Sequence, residues 1–321
     1  MNSLRWHQHA LVNRLQTLVL LAVMAAFMAL LGWLLGGADG LILLIAVALG
    51  IFLFSPTITP RLVMRLYRAE PLSPSQAPRL YQVLAELAQR GGLPATPVLY
   101  HLPSDMVNAF AVGHPGQAGI AVTDGLLRNL NLREVSAVLA HEVSHVRSND
   151  MQVMGLADTF SRLTSSLSLF GQLLLLLNLP LLLLGAVTIN WLAIGLLIMA
   201  PTMSALAQLG LSRTREYDAD LNAARLTGDP ESLAQALMKI EQIQGGWLER
   251  IFLPGRRLPE PSMLRTHPPT EERVRRLRSL QLSDSASLRF DLDPREAALR
   301  QNLSLRSVKR GPRWHMSGLW H

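Results

Sequence analysis

The residues best placed to do chemistry in this 321-residue chain are His141, Glu142 and His145, which stand as His-Glu-x-x-His. On a helix four residues advance about 400°, so the two histidines lie about 40° apart on one face, one turn from each other. Both imidazoles can then reach one tetrahedral cation. Glu142 sits on the edge of the same face, where its carboxylate can take a proton from water at the open metal position. The chemistry this spacing points to is hydrolysis by metal-activated water, with Glu142 as the general base. A chance match on a surface helix arises in about one chain of this length in a hundred or fewer.

A catalytic metal needs a third protein ligand. The chain has no cysteine, which excludes thiolate ligation and a disulfide framework and leaves a histidine or a carboxylate. In Arg215-Glu216-Tyr217-Asp218-Ala219-Asp220, Glu216 and Asp220 are four apart and share a helix face. Glu216 can bind metal while Asp220 accepts a hydrogen bond from the outer nitrogen of a ligand histidine. The same acids could instead pair with Arg213 and Arg215 on a solvated face, and spacing alone does not choose. Two more positions have compatible readings. Asn108 opens a strand whose edge could align an extended peptide, and equally suits a turn. His267 precedes two prolines that hold the chain rigid, so its imidazole could stabilise an oxyanion or simply pack in a loop. The other histidines, His7, His9, His101, His114, His315 and His321, lack ligand spacing.

The elements that must position these residues follow from local pattern. Asn131 with Glu134 three residues on marks the start of a helix over Leu132 to about Asn149 that carries both histidines. Ahead of it, Leu80 to Arg90 has helical periodicity stopped by Gly92-Leu93-Pro94. Pro97 to Leu102, Asn108 to Val112 and Gly119 to Val122 predict a small sheet, the last two strands joined by the turn His114 to Gln117. Further helices are expected over Ser212 to Thr227, Pro230 to Gln244 and Glu271 to Leu280. In the last of these, Arg273, Arg275, Arg276 and Arg278 read as a basic face, solvated or against anionic lipid.

The composition puts part of the chain in lipid. Hydrophobic residues make up 49% of it, and nothing between Arg14 and Asp39 is charged. Leu18 to Leu35 is long enough to cross a hydrocarbon core of about 30 Å. A second uncharged run, Gly40 to Pro60, follows at once, which argues for a helical hairpin over a cleaved signal peptide. From Leu163 to Ser212 no residue is charged, about twice what one span needs, so this segment must also fold back. Gly185 to Asn190 is the favoured turn and Asn178-Leu179-Pro180 the competitor. The total is about four spans, and arginines at both outer ends of each hairpin place those ends on the cytoplasmic side. The net charge of +7 then reads as attraction to lipid rather than nucleic acid, since no stacking aromatics are interleaved with the arginines.

Four motifs in order give the pattern a familiar shape: Asn108-Ala109-Phe110-Ala111, His141 to His145 followed by Asn149-Asp150-Met151, Arg215 to Asp220, and Thr266-His267-Pro268-Pro269. Placed around two apolar hairpins, they resemble the HtpX-type membrane metallopeptidases, relatives of the CAAX prenyl endopeptidases, over nearly the whole chain to about residue 280. The resemblance implies one Zn²⁺ per chain on His141, His145 and Glu216, with Asp220 orienting a ligand histidine. It implies Asn108 on the strand that binds the substrate backbone and His267 near the scissile carbonyl.

The fold expected is α+β, mostly helical with a small sheet: a gluzincin-like domain anchored by two hairpins. Its parts would be a hairpin over 1–57, peptidase segments over 58–162 and 213–282, a second hairpin over 163–212, and a basic, disordered tail over 283–321. The function implied is endopeptidase action on polypeptides, in stress-related quality control of damaged or misfolded membrane proteins. The place implied is the bacterial inner membrane, multi-pass, with the site facing the cytoplasm. Membrane lipid is a further expected partner, nucleic acid is not, and a homo-oligomer stays open. The chain departs from the family in its arginine-bearing tail and in the loop Trp247 to Pro261, which bear on substrate preference. Two rival readings are a zinc-binding scaffold without proteolysis and an enzyme that processes lipidated peptides. Four protein ligands would suit the first better, and an enclosed chamber with more spans the second.

Overall fold

The computed structural model describes residues 3–54, 60–184, 191–244 and 268–280. The turn Gly185 to Asn190, the loop Trp247 to Pro261, His267 and the tail from 283 lie outside the described residues. The chain divides into two compact units. One holds residues 11–54 and 152–184 with 191–214; the other holds 3–10, 60–151, 215–244 and 268–280.

The first unit is helical hairpins. Helix α1 (Ser3–Phe54) is broken at Gly36 and Gly37, where the backbone leaves helical geometry and Gly37 takes a φ of 58°, a region open to glycine because it has no Cβ. The two arms then close on each other. A Cβ on Gly32 would strike Leu44 and one on Gly40 would strike the carbonyl of Gly32, so these small residues let the backbones approach. Leu11–Leu34 is long and apolar enough to span a membrane, whereas the return arm, Gly36–Gly50, is a shorter apolar helix. Among the described residues, two more helices are long and apolar enough to span, Asp150–Leu181 and Ala193–Thr227, against about four spans expected.

The second hairpin pairs α6 (Asp150–Leu183) with α7 (Trp191–Thr227). Ser168 Oγ donates to the Leu197 carbonyl at 2.7 Å, and Ser161 Oγ meets Ser204 Oγ at 3.0 Å and Gln208 Oε1 at 2.9 Å. As one partner number rises the other falls, so the helices are antiparallel. Hydroxyl bridges of this kind hold helices together where lipid supplies no hydrophobic drive. Helix α6 continues past Pro180 to Leu183, so the chain does not turn at Asn178-Leu179-Pro180.

The second unit is a layer of helices on a four-stranded sheet. The sheet's strands are β1 (Glu70–Pro71), β2 (Val98–Leu102), β3 (Ala109–His114) and β4 (Gln117–Thr123), in the order β1-β2-β4-β3. Strands β3 and β4 form the expected hairpin, closing at His114 opposite Gln117, while β2 lies parallel to β4. The two-residue β1 escaped the sequence pattern, being too short to show alternation. Helices α2 (Pro60–Leu66), α3 (Pro78–Gly91), α4 (Asp124–Asn129), α5 (Leu132–Arg147), α8 (Pro230–Gln244) and α9 (Thr270–Arg278) complete the unit. Helix α3 stops at Gly92, whose φ of 66° is left-handed, as C′ glycines do. Leu80, Leu84 and Leu87 of α3, Leu99 and Ile120 of the sheet, and Val135, Leu139 and Val143 of α5 share one buried core. The architecture is thus mostly helical with a small sheet, as expected.

Helix α5 lies at the centre and is buried along nearly all its length. Its start is fixed by a reciprocal cap: Asn131 Oδ1 accepts from the Glu134 N–H at 2.9 Å, and Glu134 Oε2 accepts from the Asn131 N–H at 2.9 Å. Lys239 of α8 adds an ion pair to Glu134 at 2.6 Å. Because capping contributes about 1 kcal/mol, Asn131→Ala should lower the thermal unfolding midpoint of the detergent-purified protein by a few degrees. A midpoint equal to that of the parent would remove the cap from the forces that seat this helix.

Candidate metal centre

Two helices bring the predicted ligands together. Helix α5 supplies His141 and His145 one turn apart, and the last third of α7 supplies Glu216. Donor atoms of these three residues lie within 4.8 Å of one another, and they form the metal-competent cluster among the described residues. Both His141 and Glu216 are buried. The Nε2 atoms of the histidines face each other at 3.1 Å, and Glu216 places Oε2 3.5 Å from His141 Nε2 and Oε1 3.5 Å from His145 Nε2.

What lies behind the imidazoles decides which nitrogens are offered. His145 Nδ1 stands 2.7 Å from Asp150 Oδ2. His141 Nδ1 stands 3.0 Å from Asp220 Oδ1, with its N–H aimed off the oxygen. An ionised carboxylate only accepts hydrogen bonds, so in the neutral rings the proton belongs on Nδ1 and the lone pair on Nε2. Two lone pairs then point at one place, which a cation must fill. Burial by itself would lower both imidazole pKa values. The carboxylates outweigh it: Asp220 and Glu216 raise His141, and Asp150 and Glu216 raise His145 well above the ordinary value. The surroundings therefore favour positive charge at the Nε2 atoms.

The balance of fixed charge points the same way. Among the described residues, Glu142, Asp150, Glu216, Asp218 and Asp220 are buried here beside Arg215 and Arg273. Acidic side chains thus outnumber guanidinium groups five to two, an imbalance that a divalent cation would lessen. Nitrogen and oxygen donors without sulfur suit zinc and other first-row ions. The residues present fit a resident metal.

The structure also separates the competing readings of the acidic segment. Arg213 is exposed, and Arg215 turns to Asp150 at 2.5 Å and Asp218 at 3.2 Å. Glu216 and Asp220 face the histidines instead, with Arg273 of α9 beside them. Arg273 gives Nε and Nη2 to the two oxygens of Asp220, each at 2.7 Å, and Nη1 lies 3.2 Å from Glu216 Oε2. Its pKa stands above the ordinary arginine value. Burial opposes this, but Asp220, Glu216 and Glu142 together outweigh it.

Arg273 is thus a correction to the sequence reading, which placed it on a basic solvated or lipid-facing surface. It is only 5% exposed. The signal that could have found it is its register with Leu277, four residues on and also buried, since one arginine on an apolar face needs an acidic partner. Asp150 was also missed as a functional residue. Its reach to His145 depends on Asn149, which turns the chain between α5 and α6 at a φ of 55°, a conformation asparagine tolerates better than most residues.

Glu142 is buried beside the ligand histidines. Asn108 lies just before β3, the outer strand among the described residues. Thr123 pins its backbone by accepting from the Asn108 N–H at 3.0 Å and donating to the Asn108 carbonyl at 2.9 Å. His267 lies outside the described residues. His101 pairs with Asp124 at 2.5 Å, away from the cluster.

The sequence model of Peptidase family M48 matches residues 74–281. A protease HtpX homolog of Paraburkholderia phytofirmans is 33% identical over 290 residues, covering 83% of this chain and 96% of that one. Another, from Pyrococcus abyssi, is 36% identical over 285 residues, covering 84% and 96%. The crystal structure of S. mikatae Ste24p superposes with a TM-score of 0.47 at 20% identity, over 84% of this chain and 66% of that one, a little under two thirds of its length. With a family match over most of its length and relatives this similar nearly end to end, the chain belongs to Peptidase family M48 and is a membrane-bound metallopeptidase.

Proposed function

We propose that the protein is a zinc endopeptidase of the bacterial inner membrane, with its site on the cytoplasmic side, that clears damaged or misfolded membrane proteins. The observation that carries this reading is the convergence of His141, His145 and Glu216 donors within 4.8 Å, with the buried carboxylate of Glu142 beside them. The donor set and the hydrolytic chemistry favour zinc. His141, His145 and Glu216 hold the ion. Asp220 and Asp150 orient the histidines from behind. When bound, the ion lowers the pKa of water and polarises a carbonyl.

The rest of the reaction falls to side chains and backbone. The outer edge of β3, with Asn108, aligns an extended polypeptide by main-chain hydrogen bonds. Glu142 takes the proton from the attacking water and passes it to the amine nitrogen as the peptide bond breaks, so one water becomes a new carboxylate and a new amine terminus. His267 donates a hydrogen bond to the developing oxyanion. Substrate membrane proteins and surrounding lipid are the partners, and the arginine ends of the hairpins support the cytoplasmic orientation.

Glu142→Gln should bind zinc like the parent and cleave an unfolded model polypeptide about a hundred- to ten-thousand-fold more slowly. Chelated parent protein should be inactive and recover with Zn²⁺. If zinc binds both equally and neither cuts plain, membrane-protein or lipidated substrates, the protein is a scaffold. Asn108→Ala should raise KM about fivefold, the equivalent of one lost hydrogen bond, while zinc affinity and kcat stay near parental values. A change confined to kcat would remove Asn108 from substrate alignment.

A further inference from the structure

Each ligand histidine is backed by an aspartate, and each aspartate is backed in turn by a buried arginine. We propose that Arg273 and Arg215 are positioning residues of the metal centre, each fixing the aspartate that orients one ligand histidine. This rests on the proposed metal site and names the residues that hold its ligands still.

On one side, Arg273 grips both oxygens of Asp220 at 2.7 Å, and Asp220 Oδ1 stands 3.0 Å from His141 Nδ1. On the other, Arg215 Nε donates to Asp150 Oδ1 at 2.5 Å, and Asp150 Oδ2 stands 2.7 Å from His145 Nδ1. The aspartates therefore cannot turn about their own side-chain bonds without breaking an arginine contact. Asp150 is 1% exposed, so water does not stand ready to replace either partner.

The fork matters beyond its charge. A guanidinium offers paired donors in a fixed plane, whereas an ammonium is a point charge that cannot hold two carboxylate oxygens in register. Arg273 carries a further load, because Nη1 also reaches Glu216 at 3.2 Å; one side chain thus touches the third ligand and the support of the first. It comes from α9, whose seat on α7 is reinforced by Arg276, its guanidinium 3.6 Å from the centre of the Tyr217 ring, a cation–π contact. Arg215 lies on α7 itself, beside Glu216. The two routes share α7 but run through different aspartates and different histidines, so their effects should be separable.

The test uses the full chain in detergent, purified metal-free and titrated with Zn²⁺ against a chromophoric chelator, with Co²⁺ absorption as a report of ligand geometry. Arg273→Lys and Arg215→Lys should each weaken zinc about 10- to 100-fold and shift the cobalt bands, with helicity of the metal-free protein unchanged. Arg273→Lys in an Asp220→Asn background should add less than it does alone, because the shared route through His141 is already broken and only the contact with Glu216 is left to lose, whereas the two arginine changes together should multiply. Arg278→Gln, on the exposed side of α9, should leave zinc affinity within about twofold.

Folded lysine variants with parental zinc affinity and cobalt spectra would overturn the proposal. So would full multiplication of Arg273→Lys with Asp220→Asn. Should either lysine variant fail to fold, the other together with Asp150→Asn decides in the same way. If His141→Ala bound zinc as tightly as the parent, the metal reading itself would fall, a result separate from any behaviour of the arginines.

Discussion

Two imidazole nitrogens 3.1 Å apart, each ring presenting its other nitrogen to a carboxylate, set the condition that the rest of the catalytic unit satisfies. Lone pairs in that arrangement repel unless positive charge lies between them. Burial makes the demand sharper, because the low dielectric strengthens repulsion and attraction alike. The neighbouring arginines do not meet it: Arg273 grips Asp220 and reaches Glu216, and Arg215 is engaged by Asp150 and Asp218. They neutralise the supports and leave the space between the histidines to a cation.

Holding that arrangement takes four helices whose relevant residues are far apart in sequence. The caps and core of α5 place the histidines, the left-handed turn at Asn149 swings Asp150 back to His145, α7 brings Glu216 and Asp220, and α9 closes over them with Arg273. The first two of these are local. The other two depend on packing between segments separated by as much as the 79 residues between His141 and Asp220. Isolated pieces of the site would not hold its geometry, because each buried charge is tolerated only when its partner from another element has arrived.

This division explains what the sequence made legible. The histidine pair, the Asn131–Glu134 cap and the Glu216–Asp220 pair could be read because helical spacing alone puts them together. Strands β2 to β4 were visible through alternation and turn residues, while β1, two residues long, had no pattern to show. The link between Asp150 and His145 was hidden because it turns on one backbone angle. Arg273 was hidden because it sits among three other arginines on a short helix, where only its register with Leu277 marks the one that turns inward. The glycine break in α1 could be read as a turn.

Helix α7 shows how one element can serve both lipid and chemistry. At 37 residues it is about 55 Å long, far more than a hydrocarbon core of about 30 Å requires. Its polar positions Ser204, Gln208, Ser212, Glu216 and Asp220 recur every four residues, a ridge that winds slowly about the axis. Toward its start the ridge bonds to Ser161 of α6; toward its end it meets the histidines of α5 and the arginine of α9. Within its last turns the same spacing keeps Glu216 and Asp220 on one face, so a residue inserted between them would turn one of the acids by about 100°, away from the imidazoles.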